Sequence, residues 1–329
     1  MRRLLLCLAV AAAVAGIAAP AALADGISIV SQGGMGVATR DGATHYVAVY
    51  AGPRRTVLEK VQVAKAQVSW SLPLTGAWST SMLGVGNLTG EGLSWDGRTL
   101  VLASSSGPFA SRSRFLFVDV KRIRVVRTIT LDGSFSFDAL SPDLSRLYLI
   151  QYRHAQNGDL SHYIVRAYDL RANRLLPGRI ADRTQRSWVM KGYPLTRTTS
   201  GHGRWVYTLY SNPGGYPFVH ALDTKRGVAH CIQLPWDEDR SQAPLYNLVL
   251  DVRNGGRTLA VHWKNGSPWV SIATGSWRVS AASAGFPWIW AGAGVGGAAL
   301  VLLAAGALFL RRRRGEELEQ HAGKELGLA

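Results

Sequence analysis

Cysteine is nearly absent from this chain: 329 residues hold two, Cys7 and Cys231. Cys7 falls in an N-terminal apolar run of the kind removed on export, so Cys231 stands alone and an intramolecular disulfide is excluded. The fold must then hold by its core, for which the roughly 260 residues left between the two apolar ends are ample. Acidic side chains are scarce as well, 21 Asp and Glu against 37 Lys and Arg, giving a formal net charge of +16. Several chemistries lack their motifs. No two histidines stand one helical turn apart around a glutamate, and no cysteine pair has metal-ligand spacing. The G-x-S-x-G elbow is missing too; Gly92-Leu93-Ser94-Trp95-Asp96 fails at its last position.

What is present begins at the ends. Arg2 and Arg3, an apolar run from Leu4, and Ala22-Leu23-Ala24 are in the order of a cleaved signal peptide over residues 1–24. Residues 286–310 are 25 residues without a charge, more than the roughly 20 that a helix needs to cross a bilayer. Trp288 and Trp290 open that run and Arg311 to Arg314 follow it, which orients a single-pass cell-membrane protein with its ectodomain outside. The predicted organisation is thus an ectodomain over 25–280, a linker over 281–285, a transmembrane helix over 286–310 and a cytoplasmic tail over 311–329. Gly292-Ala293-Gly294-Val295-Gly296-Gly297 matches G-x-G-x-x-G, yet neither the strand nor the soluble helix that a dinucleotide site requires flanks it. Gly292 and Gly296 read instead as small residues that let two such helices approach.

The charge divides unevenly between these parts. The first 24 residues carry two arginines and the tail carries five basic against four acidic groups, so residues 25–310 hold thirteen of the sixteen excess positive charges. An exported basic domain points to anionic cell-envelope ligands or a partner ectodomain, with a salt-sensitive pull, and away from nucleic acid.

Within the ectodomain one phrase recurs. Residues 93–103 read LSWDGRTLVLA and residues 140–150 read LSPDLSRLYLI; shorter forms stand at 41–49, 200–209 and 255–261. Each is a polar turn followed by an apolar run rich in β-branched and aromatic residues, the mark of a strand entered through a tight turn. A second phrase follows each first one. At 115–131, 165–180 and 219–234 a strand ends at Asp119, Asp169 or Asp223, the chain turns, and another strand leaves; weaker versions run over 55–72 and 269–279. Phe115 to Val118 are apolar on both faces, whereas Arg124 and Arg127 interrupt the next strand. Sheets buried on both sides and polar toward one edge must stack on copies of themselves.

The pairing of LSWDGRTLVLA and LSPDLSRLYLI with the hairpin Phe115 to Leu131 resembles the YVTN and WD-repeat-like bacterial propellers. The likeness covers residues 37–280 in outline and implies an all-β fold: a β-propeller of about five four-stranded blades, with six or seven left open, and a competing β-sandwich. The strand GISIVS, Gly26 to Ser31, is placed as the closing element of the ring.

Chemistry is harder to place. Cys231, in VAHCIQL, reads as a small buried hydrophobe, and the repeating Asp96, Asp143, Asp119, Asp169 and Asp223 read as turn formers. Asp237, Glu238 and Asp239 read as a solvated loop rather than a calcium site. Trp78, Trp95, Trp188 and Trp236, near turns, are weighed as stacking faces for sugars against the use of Trp to fill the space between blades, which is favoured. No catalytic, cofactor or metal residue is assigned. In a four-stranded blade, however, all loops between the second and third strands emerge on one face. Here they carry Arg54, Arg55, Arg112, Arg114, Arg153, His154 and Lys264, a candidate basic collar for an anionic ligand. The function expected is a binding or interaction module; the alternative is a lactonase-like propeller hydrolase using the central channel.

Overall fold

A computed structural model describes residues 36–83, 89–104, 110–154, 160–185, 190–212, 214–236, 241 and 243–281. All of them fall in the first of two compact units, Met1–Ala282. The predicted signal peptide, the strand at 26–31, the acidic loop at 237–239 and the transmembrane helix lie outside the described residues. Among the described residues no helix is long and apolar enough to cross a membrane.

The described residues form five antiparallel sheets, four of them meanders in sequence order and one with its first two strands exchanged. Blade I is β1 (Val37–Ala38), β2 (Thr44–Tyr50), β3 (Arg55–Gln62) and β4 (Gln67–Thr75). Blade II is β5 (Trp78–Leu83), β6 (Thr89–Glu91), β7 (Thr99–Ser104), β8 (Arg112–Asp119) and β9 (Arg124–Asp132), in the order β6-β5-β7-β8-β9. Blade III is β10 (Phe135–Leu140), β11 (Arg146–His154), β12 (Leu160–Asp169) and β13 (Arg174–Leu175). Blade IV is β14 (Tyr193–Thr199), β15 (Trp205–Ser211), β16 (Phe218–Asp223) and β17 (Val228–Gln233); blade V is β18 (Leu248–Arg253), β19 (Thr258–Trp263), β20 (Pro268–Ala273) and β21 (Arg278–Ala281). Five separate sheets rather than two packed layers replace the sandwich alternative, and the arrangement is that of a β-propeller of about five blades.

Side chains alternate between faces along a strand, and β8 shows what that does here. Phe115 and Phe117 pack with Phe135, Leu147 and Leu149 of blade III. Leu116 and Val118, on the other face, pack with Tyr46, Leu58 and Leu74 of blade I. Tyr163 and Val165 of blade III meet Tyr210 and Phe218 of blade IV, and Leu195, Tyr207 and Val219 of blade IV meet Leu248, Leu259 and Val270 of blade V. Each large side chain so buried stabilises by roughly 1.5–3 kcal/mol before entropy is counted. Among the described residues no apolar cluster joins blade V back to blade I.

The recurring phrase is the turn from first to second strand. Ser94 Oγ donates to Asp96 at 2.6 Å and accepts from the Thr99 N–H at 2.8 Å. Ser141 Oγ donates to Asp143 at 2.7 Å and accepts from the Arg146 N–H at 2.9 Å. Thr39 and Asp41 repeat the pattern in blade I, and Ser200 keeps half of it in blade IV. At the next turn Asp119, Asp169 and Asp223 each accept two backbone N–H groups, so the repeating aspartates close turns as their sequence context predicts.

Two departures from a uniform meander matter. In blade III the outer strand β13 has only two residues; Pro177, which has no N–H, interrupts the ladder before the Ile180 N–H returns to the Val165 carbonyl at 2.8 Å. In blade II the innermost strand leaves its ladder after Thr80, makes the β5–β6 hairpin, and rejoins β7 where the Val101 N–H donates to the Gly92 carbonyl at 2.9 Å.

Candidate functional site

The innermost strands of three blades are irregular, and their irregularities converge. In β10 the register to β11 skips between Phe137 and Ala139, so Asp138 is a bulge residue outside the ladder. A bulge re-aims its side chain and frees its carbonyl, and both now face blade IV. The Arg197 guanidinium, on β14, takes them up. Its Nη1–H donates to the Asp138 carbonyl at 2.6 Å, its Nη2–H to Asp138 Oδ1, and its Nε–H to Thr208 Oγ1 at 2.8 Å. The third member is Glu91, which the β5–β6 hairpin of blade II delivers, with Oε2 at 3.8 Å from Arg197 Nη1.

Glu91 is held by its neighbours. A Cβ on Gly90 would lie 1.9 Å from the Gly36 carbonyl oxygen, and Gly92 has φ +115° with Val101 O 2.4 Å from a built Cβ. Only glycine fits on either side. Arg197 and Asp138 side chains are 2% and 3% exposed, whereas Glu91 keeps 22%.

That exposed part looks into a central cavity of about 410 Å³, within the range of small-molecule sites. Its wall draws Val37, Leu93, Phe137 and Val206 from four blades. At the mouth Arg40 lies over the Trp95 ring, and the Trp95 and His202 rings stand 6.1 Å apart. Because the wall includes Ser94, Trp95 and Gly203, the cavity opens toward the first-to-second-strand turns.

Electrostatics follow from burial. Removal from water raises the proton affinity of Glu91; Arg197 opposes that shift and Asp138 adds to it. Burial works against the charge on Arg197, and the Asp138 and Glu91 carboxylates outweigh it, so its pKa is raised. Burial lowers Arg40, with Asp96 acting the other way. Beside this centre a cross-strand row, Arg197, Thr208, His220 and Cys231, traverses blade IV. His220 is pushed down to about 4 and the Cys231 thiol up to about 12, both first by burial; Cys231 is the buried small residue expected.

The sequence-predicted basic residues occupy the opposite edge. Arg54 and Arg55 stand at the β2–β3 connection, Arg112 and Arg114 at the start of β8, Arg153 and His154 at the end of β11, and Lys264 after β19. Arg112 pairs with Asp132 at 3.2 Å with both groups exposed, and Arg114 lies 4.8 Å over the Trp78 ring. Trp78 itself is buried and donates to the Thr75 carbonyl at 2.9 Å, which removes it as a sugar platform; Trp95 is covered by Arg40. Trp188 lies outside the described residues, and Trp236 packs edge-on against Trp269 at 5.5 Å. Among the described residues no three His, Cys, Asp or Glu side chains group as metal ligands.

The triad itself escapes the repeat-based reading. Its signal is a lone charge inside an apolar inner strand, FSFDAL for Asp138 and PLTRTT for Arg197, and a glutamate between two glycines for Glu91.

No family model matches the chain, and no curated protein matches it. Solved structures do. It is similar to a hydrazine synthase from Kuenenia stuttgartiensis at 18% identity and TM-score 0.44, over 70% of this chain and 61% of that one. TolB from Acinetobacter baumannii matches at 15% identity and TM-score 0.38, over 74% and 53%. The β-propeller domain of Cps50 (Swd1) from Myceliophteria thermophila matches at 12% identity and TM-score 0.42, over 71% and 63%. The chain spans between half and two thirds of the length of these proteins.

Proposed function

We propose that the protein is a membrane-anchored, extracytoplasmic binding module whose basic blade edge takes anionic polymers of the cell envelope. The observation that carries this reading is the placement of basic side chains at the second-to-third-strand connections of blades I, II, III and V, on one edge of the fold. Charges of one sign grouped there attract a polyanion more than scattered ones do. The reading also rests on the export signal over 1–24 and the spanning segment over 286–310, which put the edge outside the cell, and Gly292 and Gly296 offer a face on which two anchors pair. A partner ectodomain with an acidic surface is the second occupant such an edge suits.

A hydrolase working in the central channel is the competing reading, with Glu91 as its acid. Against it, the hydroxyl of Ser94 in the cavity wall is engaged by Asp96 and by the Thr99 N–H.

The test is a titration of the full chain in detergent with a fluorescent poly(glycerol phosphate) across a salt series. Binding at low salt should weaken steadily as salt rises. Neutralising Arg54, Arg112 and Arg153 together to Gln should lower affinity about tenfold or more, at roughly 0.5–1 kcal/mol per exposed charge. Absence of binding at low salt, or an unchanged affinity in the triple variant, would refute the reading.

A further inference from the structure

Glu91 is a carboxylate carried into the protein interior, where it shares one guanidinium with Asp138. Arg197, its ion-pair partner at 3.8 Å, makes its shorter N–H contacts with Asp138 and Thr208. Holding a carboxylate largely out of water on a shared cation is costly, and the backbone on either side of it is packed closely against Gly36 and Val101. Something that donates hydrogen bonds from the cavity side would offset that cost.

The rest of the cavity narrows what the donor is. Its wall is mixed, with Val37, Leu93, Phe137 and Val206 forming the apolar part beside the charged groups. A sugar would want an open aromatic face, and Arg40 already covers Trp95. A metal would want several free oxygens, and Asp138 has given Oδ1 and its carbonyl to Arg197. An anion would meet two carboxylates against one buried guanidinium. Arg40 at the mouth has Asp96 as its electrostatic counterpart. Two carboxylates sharing one guanidinium beside the apolar side chains of Val37, Leu93 and Phe137 suit a cation with a carbon body.

We propose that the central cavity binds a small organic ammonium, its N–H groups on Glu91 and its carbon chain along Val37, Leu93 and Phe137. This site lies on the edge of the fold opposite the basic loops and stands independently of the polyanion reading.

Calorimetric titration of the full chain in detergent with three probes of one shape, n-butylammonium, n-butanol and butyrate, tests it. The ammonium should bind saturably, at least about tenfold tighter than the alcohol, the scale of a charge-assisted hydrogen bond, and butyrate should not bind. Glu91→Gln should remove that tenfold preference, while the Arg54, Arg112 and Arg153 triple variant should keep it. Within the unmodified protein, ammonium affinity should fall on acidification as Glu91 takes up a proton, while butanol affinity stays flat; this arm does not depend on whether Glu91→Gln folds. Equal binding of ammonium and alcohol by the unmodified protein, no saturable ammonium binding, or an unchanged preference in folded Glu91→Gln would each overturn the proposal.

Discussion

At the residue scale the interior is more polar than its apolar strands suggest. His220 is the clearest case: buried in blade IV, with no hydrogen-bond partner for its Nε2 among the described residues, and with its pKa lowered to about 4 from 6.5. A histidine depressed in the folded state binds fewer protons there than in the unfolded chain between those two values. Stability should therefore hold above about pH 6.5 and fall as pH drops toward 4, by about 3 kcal/mol at most for this group. Denaturant unfolding of the full chain between pH 7.5 and 4.5 checks this, and His220→Gln should flatten that limb. An acid limb that persists in the variant would assign the loss to other groups. Cys231, paired across the strands with His220, was legible in the sequence as a small buried residue. The Arg197, Asp138 and Glu91 centre was not, because three residues 47 and more positions apart meet only through a bulge and a hairpin that no local pattern encodes.

At the element scale the repeat is a repeat of turns. LSWDGRTLVLA and LSPDLSRLYLI fold alike because a serine hydroxyl and an aspartate two residues on satisfy the same backbone and side-chain groups in each. Ser94→Ala and Ser141→Ala each leave one backbone N–H, of Thr99 or Arg146, without its acceptor. Each should cost about 1–2 kcal/mol, and the two costs should agree closely. Matched unfolding midpoints would support equivalence of the two turns; a large cost at one and none at the other would contradict it. These turns and the hairpins ending at Asp119, Asp169 and Asp223 were readable because they need particular residues at fixed offsets. The β5–β6 hairpin was not readable, since it interrupts an inner strand in a segment that lacks such a signature. Of the two readings of Trp78, filler between blades holds. It lies beside a turn in sequence, yet its ring fills the space between blades I and II.

At the scale of the whole molecule, apolar faces on both sides of each sheet require neighbours, and the four joints from blade I to blade V supply them. The all-β class and the stacking of look-alike sheets could be read from two-sided hydrophobicity in strands such as β8. The number of sheets was less firm because blade I and blade V carry the most degraded copies of the phrase, in turns that have lost serine or aspartate. The central claim is that the blades turn about an axis rather than stacking in a line. Exposed turn positions two residues after Asp119, Asp169 and Asp223 are equivalent in blades II, III and IV: Lys121, Arg171 and Lys225. Cys231 is buried, which leaves introduced cysteines at those positions open to selective spin labelling. Pulsed electron-spin distance measurements on the three pairwise double variants test the claim most directly. A propeller should give equal distances for 121–171 and 171–225 and a 121–225 distance longer than either but clearly shorter than their sum; unequal neighbour distances, or a 121–225 distance equal to the sum, would contradict it.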